Sequence, residues 1–257
     1  MINLSVIVLT KNEEVNVLDC IESIPKAAEI IVVDDYSTDR TIDVIKSLKN
    51  PNIKIYERHL DNNFSDQRNF GLSKTKSDWV LFLDADERIT KSLADEIISI
   101  INNSFEATIN GYFIKRRDTL WGHELKFGET GNIKLLRLAK KNNGKWQGKV
   151  HEVWNISGIL GTLDNALIHY PHQTVREFLY EIDRYSTLRA QELFEQKKSI
   201  GLWEVIIYPK AKFVQNYLFK LGFCDGIAGL VMALMMSLHS FLVRGKLWFK
   251  ILHKLNK

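Results

Sequence analysis

Two short acidic clusters carry the strongest chemical signal in the sequence. Asp34-Asp35 follows the apolar run Ile30-Ile31-Val32-Val33, and Asp84-Ala85-Asp86 follows Trp79-Val80-Leu81-Phe82-Leu83. Each run has the length of a buried strand, so each cluster falls at a strand's C-terminal end. In an open α/β sheet that edge is where ligands bind. Asp-x-Asp at such a place suits a divalent cation, because hard ions take oxygen ligands and are often shared with substrate phosphates. Either cluster alone reads equally well as a turn or as surface acids. Thr10, Asp35 and Asp86, each following an apolar run and sharing one sheet edge, together suggest a site for a nucleotide diphosphate.

The elements that must position them alternate between two periods. Leu4–Leu9 has strand length; Val17, Leu18, Ile21 and Ile24 then recur at helical spacing up to Pro25. Ile30–Val33 is a second strand, and Thr38 or Asp39 can cap a helix carrying Ile42, Ile45 and Leu48. Ile53–Tyr56 reads as a strand, Asp66–Lys76 as a helix, Trp79–Leu83 as a buried strand and Lys91–Asn103 as a helix. This alternation predicts an α/β fold with a mostly parallel central sheet flanked by helices. After Asn110 the pattern turns mixed and loop-rich, with strands over Tyr112–Lys115 and Ile133–Leu138, and Val175–Phe194 reads as an amphipathic helix. The expected division is 1–110 for a nucleotide-binding half, 111–173 for the mixed half of the same domain, suited to an acceptor, and 174–257 for a helical extension.

Composition narrows the class. At 257 residues, 45% apolar and 26% charged, the chain can bury a substantial core. Cys20 and Cys224 are its two cysteines, which argues against a disulfide scaffold or a thiolate zinc site and fits a reducing compartment. The N-terminus has no basic region before its first apolar run, so no signal peptide is read there. The net charge of +4 conceals +7 over residues 205–257 and −3 over the rest. Within that tail, Gly226–Val243 is eighteen residues without a charge, at the edge of what spans a bilayer. Ser237, His239 and Ser240 weaken a spanning reading, and the surrounding lysines with Trp248 and Phe249 suit an anionic membrane surface. A buried helical hairpin is the alternative. No nucleic-acid-binding motif is found.

Four motifs in order then carry a resemblance: Ser-Val-Ile-Val-Leu-Thr-Lys-Asn-Glu-Glu (5–14), Val-Val-Asp-Asp-Tyr-Ser-Thr-Asp (32–39), Gln-Arg-Asn-Phe-Gly (67–71) and Phe-Leu-Asp-Ala-Asp-Glu (82–87). They resemble the signature of family-2 inverting glycosyltransferases, which have the GT-A fold and use nucleotide-sugar donors. Lys-Leu-Leu-Arg-Leu (134–138), Gly-Lys-Val-His-Glu (148–152), Ile-His-Tyr-Pro (168–171) and Leu-Gly-Phe-Cys-Asp-Gly (221–226) resemble the branch that adds glucose to the inner core of bacterial lipopolysaccharide.

The resemblance implies roles. Thr10, Asn12, Glu13 and Asp35 hold the nucleoside, with Asp35 at the base; Arg68, Asp84 and Ala85 lie along the donor. Asp86, with His169, holds the cation, Mg²⁺ or Mn²⁺, and His169 reads equally as a core histidine. Glu152 matches the family's catalytic carboxylate. His151-Glu152 stands where Glu-Asp is usual, so either side chain could touch the acceptor; an anionic base suits the site better, which favours Glu152. His151, Trp121 and His123 are candidate acceptor contacts, while Trp121, Trp146 and Trp154 could stack on sugars or simply pack. The implied partners are a UDP-sugar, UDP-glucose above all, a lipid-linked saccharide and the cytoplasmic face of the plasma membrane. A nucleotidyltransferase or a dinucleotide oxidoreductase needs a Gly-rich first loop, and Leu4–Glu14 contains no glycine. A non-catalytic carbohydrate binder would lose Asp86 or Glu152, and both are present.

Overall fold

The computed structural model describes residues 2–26, 28–61, 63–102, 108–148, 152–172 and 174–255. The strands are β1 (Leu4–Thr10), β2 (Glu29–Asp34), β3 (Ile53–Glu57), β4 (Trp79–Asp84), β5 (Glu87–Ile89), β6 (Ile109–Leu120), β7 (His123–Leu125), β8 (Lys134–Lys140), β9 (Gly144–Gln147), β10 (Val153–Ile156) and β11 (Ile159–His169). The helices are α1 (Val17–Glu22), α2 (Thr41–Ser47), α3 (Phe64–Lys74), α4 (Lys91–Asn102), α5 (Val175–Glu195), α6 (Leu202–Val214) and α7 (Gly226–Leu255).

Two compact units divide the chain: 1–116 with 133–169, and 117–132 with 170–257. The boundaries therefore differ from those expected from sequence. Segment 117–132 packs with the C-terminal helices, because Leu120 and Leu125 join Phe178, Ile182, Ala228 and Met232 in a core of their own.

A nine-stranded sheet runs in the order β3-β2-β1-β4-β8-β6-β11-β5, with β7 paired to β6. β1, β2, β3 and β4 are parallel neighbours, and β8 joins β4 antiparallel. The parallel half coincides with the stretch where helices alternate with strands, since parallel neighbours need crossover connections. β6 runs well past the expected Tyr112–Lys115, and β11 is a strand that the sequence pattern does not announce, at 12 and 11 residues. Both mix buried, half-buried and exposed positions without a continuous apolar run, which weakens the signal that a buried strand carries.

Side chains on the parallel strands alternate between two cores. Leu4, Val6, Val8, Val32 and Leu81 face α1, α2 and α4, where Val17, Cys20, Ile45, Leu93 and Ile97 are buried. Ile7, Ile31, Val33, Val80 and Phe82 face α3 and the β9–β10 hairpin, represented by Leu72, Trp146 and Trp154. Phe82 is the keystone of the second core. It lies edge-on to both tryptophans at 5.0 and 4.9 Å, and the two indoles stack at 5.5 Å. Trp146 and Trp154 are therefore packing residues and do not offer a face to a sugar. Gly71 lets α3 approach β1 closely, since a Cβ there would meet Ile7 Cγ2 at 2.7 Å.

In the second unit, α7 packs against both α5 and α6. Among the described residues it is the one helix long and apolar enough to cross a bilayer, and a third of its most apolar window is buried inside the protein.

Truncating Phe82 removes the ring that both tryptophans pack on. Phe82→Ala is expected to cost about 3–5 kcal/mol in denaturant-induced unfolding, with loss of the near-ultraviolet dichroism of the stacked indoles.

Candidate active site

The parallel register brings the sequence motifs to one edge. Thr10 pairs with Asp34 and Leu9 with Asp84, so β1, β2 and β4 end together. The two aspartates of the first cluster then diverge. Asp34 is fully buried and closes a turn, accepting bonds from the Ser37 amide at 2.7 Å and from its hydroxyl. Asp35 points the other way. It accepts from the Leu60 amide at 3.0 Å and lies 3.6 Å from Lys11 Nζ and 3.7 Å from His59 Nδ1.

Asn12 and Glu13 tie the loop after β1 to the loop after β2. The Asn12 amide donates to Ser37 Oγ, its side-chain oxygen accepts from the Thr38 amide, both at 2.8 Å, and the Glu13 amide donates to Thr41 Oγ1 at 2.7 Å. Thr10 accepts the Asp35 amide on its carbonyl at 3.0 Å, while its own hydroxyl oxygen is buried without a hydrogen-bond partner among the described residues.

The second cluster is built around a chain of opposite charges. Asp84 accepts from Arg68 Nη2 at 3.1 Å on one oxygen and from Arg137 Nη2 on the other. Arg68 donates through Nε to Glu152 at 3.0 Å, and Arg137 reaches Glu87 at 3.2 Å. Both guanidiniums and Glu87 are buried, and the Glu152 side chain keeps 15% exposure. The guanidinium of Arg68 also lies over the Trp146 ring at 4.7 Å, a cation–π contact that holds its fork in one plane. The backbone closes the turn at this corner: the Ala85 amide stays in the ladder to Leu9, and the Asp84 amide donates to Glu87 at 3.0 Å.

Helix α3 sets this chain, and each residue of its Gln-Arg-Asn-Phe-Gly motif has a separate duty. Gln67 donates to the Arg58 carbonyl, Arg68 joins Glu152 to Asp84, and Asn69 exchanges two bonds with the Trp146 backbone. Phe70 packs edge-on against Tyr56, and Gly71 permits the close approach to β1. Ser65 of the same helix donates to the Gly148 carbonyl. The hairpin that carries Glu152 is thus pinned to α3 at its base.

Asp86 leaves this chain and meets His169 instead, with Oδ2 3.1 Å from Nε2. The antiparallel register of β11 and β5 makes this contact, since His169 pairs with Glu87. The described residues hold no cluster of three or more potential metal ligands. Asp84 is spent on arginines, which leaves one carboxylate and one imidazole at the edge. That donor set fits a cation whose remaining ligands come from a diphosphate and water.

Burial pushes the Asp84 carboxyl up, but Arg137 and then Arg68 outweigh it and hold it below the usual aspartate range. Burial raises Glu87 above the usual glutamate range, although Arg137 opposes it. Burial disfavours the Arg137 cation, yet Asp84 and Glu87 leave it more firmly protonated than a free arginine.

The remaining predicted contacts are not among the side chains bonded at this edge in the described residues. His151 falls outside the described residues. Trp121 and His123 belong to the second unit, where the Trp121 indole donates to the His172 carbonyl at 2.9 Å and His123 opens β7. Arg137, Glu87 and Asn69 were assigned no role from the sequence. The signal for Arg137 was present: an arginine inside Leu135-Leu136-Arg137-Leu138 needs a buried partner.

Residues 5–156 match the family described as Glycosyl transferase family 2. The chain belongs to glycosyl transferase family 2. This transferase is 29% identical over 252 residues to the lipopolysaccharide core biosynthesis glycosyltransferase LpsC of Rhizobium meliloti, covering 95% of this chain and 92% of LpsC. It is 28% identical over 260 residues to an uncharacterized glycosyltransferase of Rickettsia bellii, covering 95% and 85% of the two chains. Its fold is similar to that of the mannosyltransferase PcManGT of Pyrobaculum calidifontis, solved with GDP-Man and Mn²⁺, at a TM-score of 0.53 and 14% identity over 97% of this chain and 88% of that one. The GT-A fold expected from the motifs is the fold observed.

The transferase should lose stability in acid through Asp84. Its lowered pKa contributes stability that is complete above the ordinary aspartate value of about 4 and is lost as pH falls toward the lowered value. Asp84→Asn is expected to cost about 3 kcal/mol at pH 7, the lower end for a broken buried pair, because 32% of the Asp84 side chain stays exposed. Its unfolding free energy should also fall less steeply below pH 4 than that of the wild type. Glu87 acts with the opposite sign: its raised pKa contributes stability at low pH that is lost as pH rises, so Glu87→Gln should flatten that limb.

Proposed function

We propose that this transferase moves a hexose, glucose from UDP-glucose, to a lipid-linked saccharide such as the inner core of lipopolysaccharide, with inversion at the anomeric carbon. The observation that carries the proposal is the Glu152–Arg68–Asp84 chain beside the Asp86–His169 pair: a carboxylate held in a fixed place next to the edge suited to a diphosphate. The similarity to LpsC favours a lipopolysaccharide-type acceptor.

On this reading Thr10, Asn12, Glu13 and Asp35 line the nucleoside, with Asp35 toward the base. Arg68, Asp84 and Ala85 shape the donor side, and Asp84 acts by orienting the two arginines. Asp86 and His169 would hold Mg²⁺ or Mn²⁺. Such a cation supplies positive charge to the departing diphosphate. Glu152 takes the proton of the acceptor hydroxyl as its oxygen bonds to the anomeric carbon and the bond from that carbon to the diphosphate breaks. Arg68 fixes the Glu152 carboxylate by a charge-assisted bond, so little reorganisation is needed at the moment of proton transfer. His151 is assigned to acceptor contacts. The protein acts at the cytoplasmic face of the plasma membrane, attached peripherally, where a lipid-carried acceptor is presented.

A diphosphate-release assay over a panel of nucleotide sugars with lipopolysaccharide-core acceptors tests this. Glu152→Gln should lower turnover on the order of a thousandfold with UDP-glucose binding kept, and Asp86→Ala or EDTA should abolish transfer. Wild-type turnover in Glu152→Gln would remove the carboxylate from the chemistry, and no turnover with any UDP-sugar would remove the donor.

A further inference from the structure

α6 leaves outward a row of large apolar side chains that a helix in a water-soluble protein would turn inward. Here Lys212, and Asn216 in the turn after the helix, are polar side chains that turn in. Lys212 Nζ and Asn216 Nδ2 bond the two oxygens of Glu129 at 2.8 and 2.9 Å, and the Pro209 carbonyl accepts from Ser237 Oγ at 2.8 Å. A row of apolar side chains turns out, although Pro209 is buried and Val205 and Phe213 are half-buried: Leu202, Trp203, Ile206, Ile207, Val214 and Phe219 are all exposed, from 36% at Val214 to 81% at Phe219. Their spacing follows one helical face across α6 and the wide turn, residues 215–219, that continues it.

The uncharged run that stood out in the sequence is used differently. α7 buries Ala228, Met232, Ala233, Val243 and Leu247 and is packed by α5 and α6 together. Within the uncharged run the exposed large apolar side chains are Ile227, Leu234 and Phe241, which recur every seventh residue; Trp248, Phe249 and Leu252 are exposed only beyond Arg244. That leaves too narrow a stripe for a helix surrounded by lipid.

Charge selects the partner for the α6 face. Lys197 and Lys198 just before it, Lys210 within its exposed stripe and Lys220 just after it are all exposed. Lys210 can lay its stem along apolar surface and keep its ammonium in a headgroup layer. An apolar face with a tryptophan near one end, a phenylalanine near the other and lysines at its borders fits the interface of a bilayer containing anionic lipid.

We infer that the outward face of α6 and the turn after it, rather than the uncharged run of α7, is the surface by which this protein lies on an anionic lipid bilayer. The inference rests on the membrane part of the proposed function and goes further by assigning the face. The full-length protein is mixed with vesicles of phosphatidylcholine, with and without phosphatidylglycerol, and bound protein is measured by flotation. Trp203→Glu/Ile207→Glu should weaken binding about a hundredfold, the effect of withdrawing two large apolar side chains from lipid. The milder Trp203→Ala should weaken it about tenfold, and Leu234→Glu on α7 should change it little. Lys210→Ala and Lys220→Ala should each lower binding about fivefold, on the anionic vesicles alone. Thermal unfolding and UDP-glucose binding should match the wild type in every variant.

If the wild type binds vesicles and both Trp203 variants bind as well as it does, the assignment to α6 fails while the membrane reading stands. A wild type that ignores both vesicles sinks the two together. A stable dimer dispersed by Trp203→Ala, with vesicle binding untouched, would give this face to a second copy of the chain and overturn the inference.

Discussion

The bond that the candidate site depends on is the double clasp on Asp84 by Arg68 and Arg137. Two buried guanidiniums cannot be left without counter-charge, since stripping water from an ion costs several kcal/mol. Asp84 and Glu87 supply that charge within four residues of chain, at the corner where β4 turns into β5. Fixing the guanidiniums fixes what they reach, and Arg68 reaches Glu152. A single carboxylate at the end of a parallel strand therefore determines where a second carboxylate, 68 positions away in sequence, can stand.

Helix α3 turns this electrostatic arrangement into a rigid one. Its hydrophobic contribution is small, for of its apolar residues only Leu72 is buried, whereas Ser65, Gln67 and Arg68 are buried too. It is held by polar bonds to the hairpin and by the close approach that Gly71 allows. A helix with so polar a buried side has little stability of its own and relies on every partner being in place. Site geometry and local stability are thus linked in this half of the molecule.

Much of this was legible in the sequence. The parallel strands appear as short apolar runs, and their acidic ends mark the edge where Thr10, Asp35 and Asp84 gather. Which aspartate of the pair 34–35 faces the edge was not legible from spacing alone; it follows from the turn that Asp34 closes on Ser37. The full length of β6, and β11 as a whole, were not legible because strands with one exposed face carry no continuous apolar signal. Arg137 was visible as a misplaced charge in an apolar strand, yet its partner lies 53 positions earlier and only the β4–β8 pairing brings them together. The grouping of segment 117–132 with the C-terminal helices was not legible, because its apolar residues Leu120 and Leu125 pack against helices far along the chain.

The central claim is that Arg68 serves the reaction by positioning Glu152. A double-mutant cycle in kcat, with Arg68→Met, Glu152→Gln and the two combined, tests it most directly. If Arg68 acts through Glu152, the combined variant should turn over no more slowly than Glu152→Gln alone, because the group being positioned is already gone. Losses that multiply across the two substitutions would show that the residues act independently and would contradict the account.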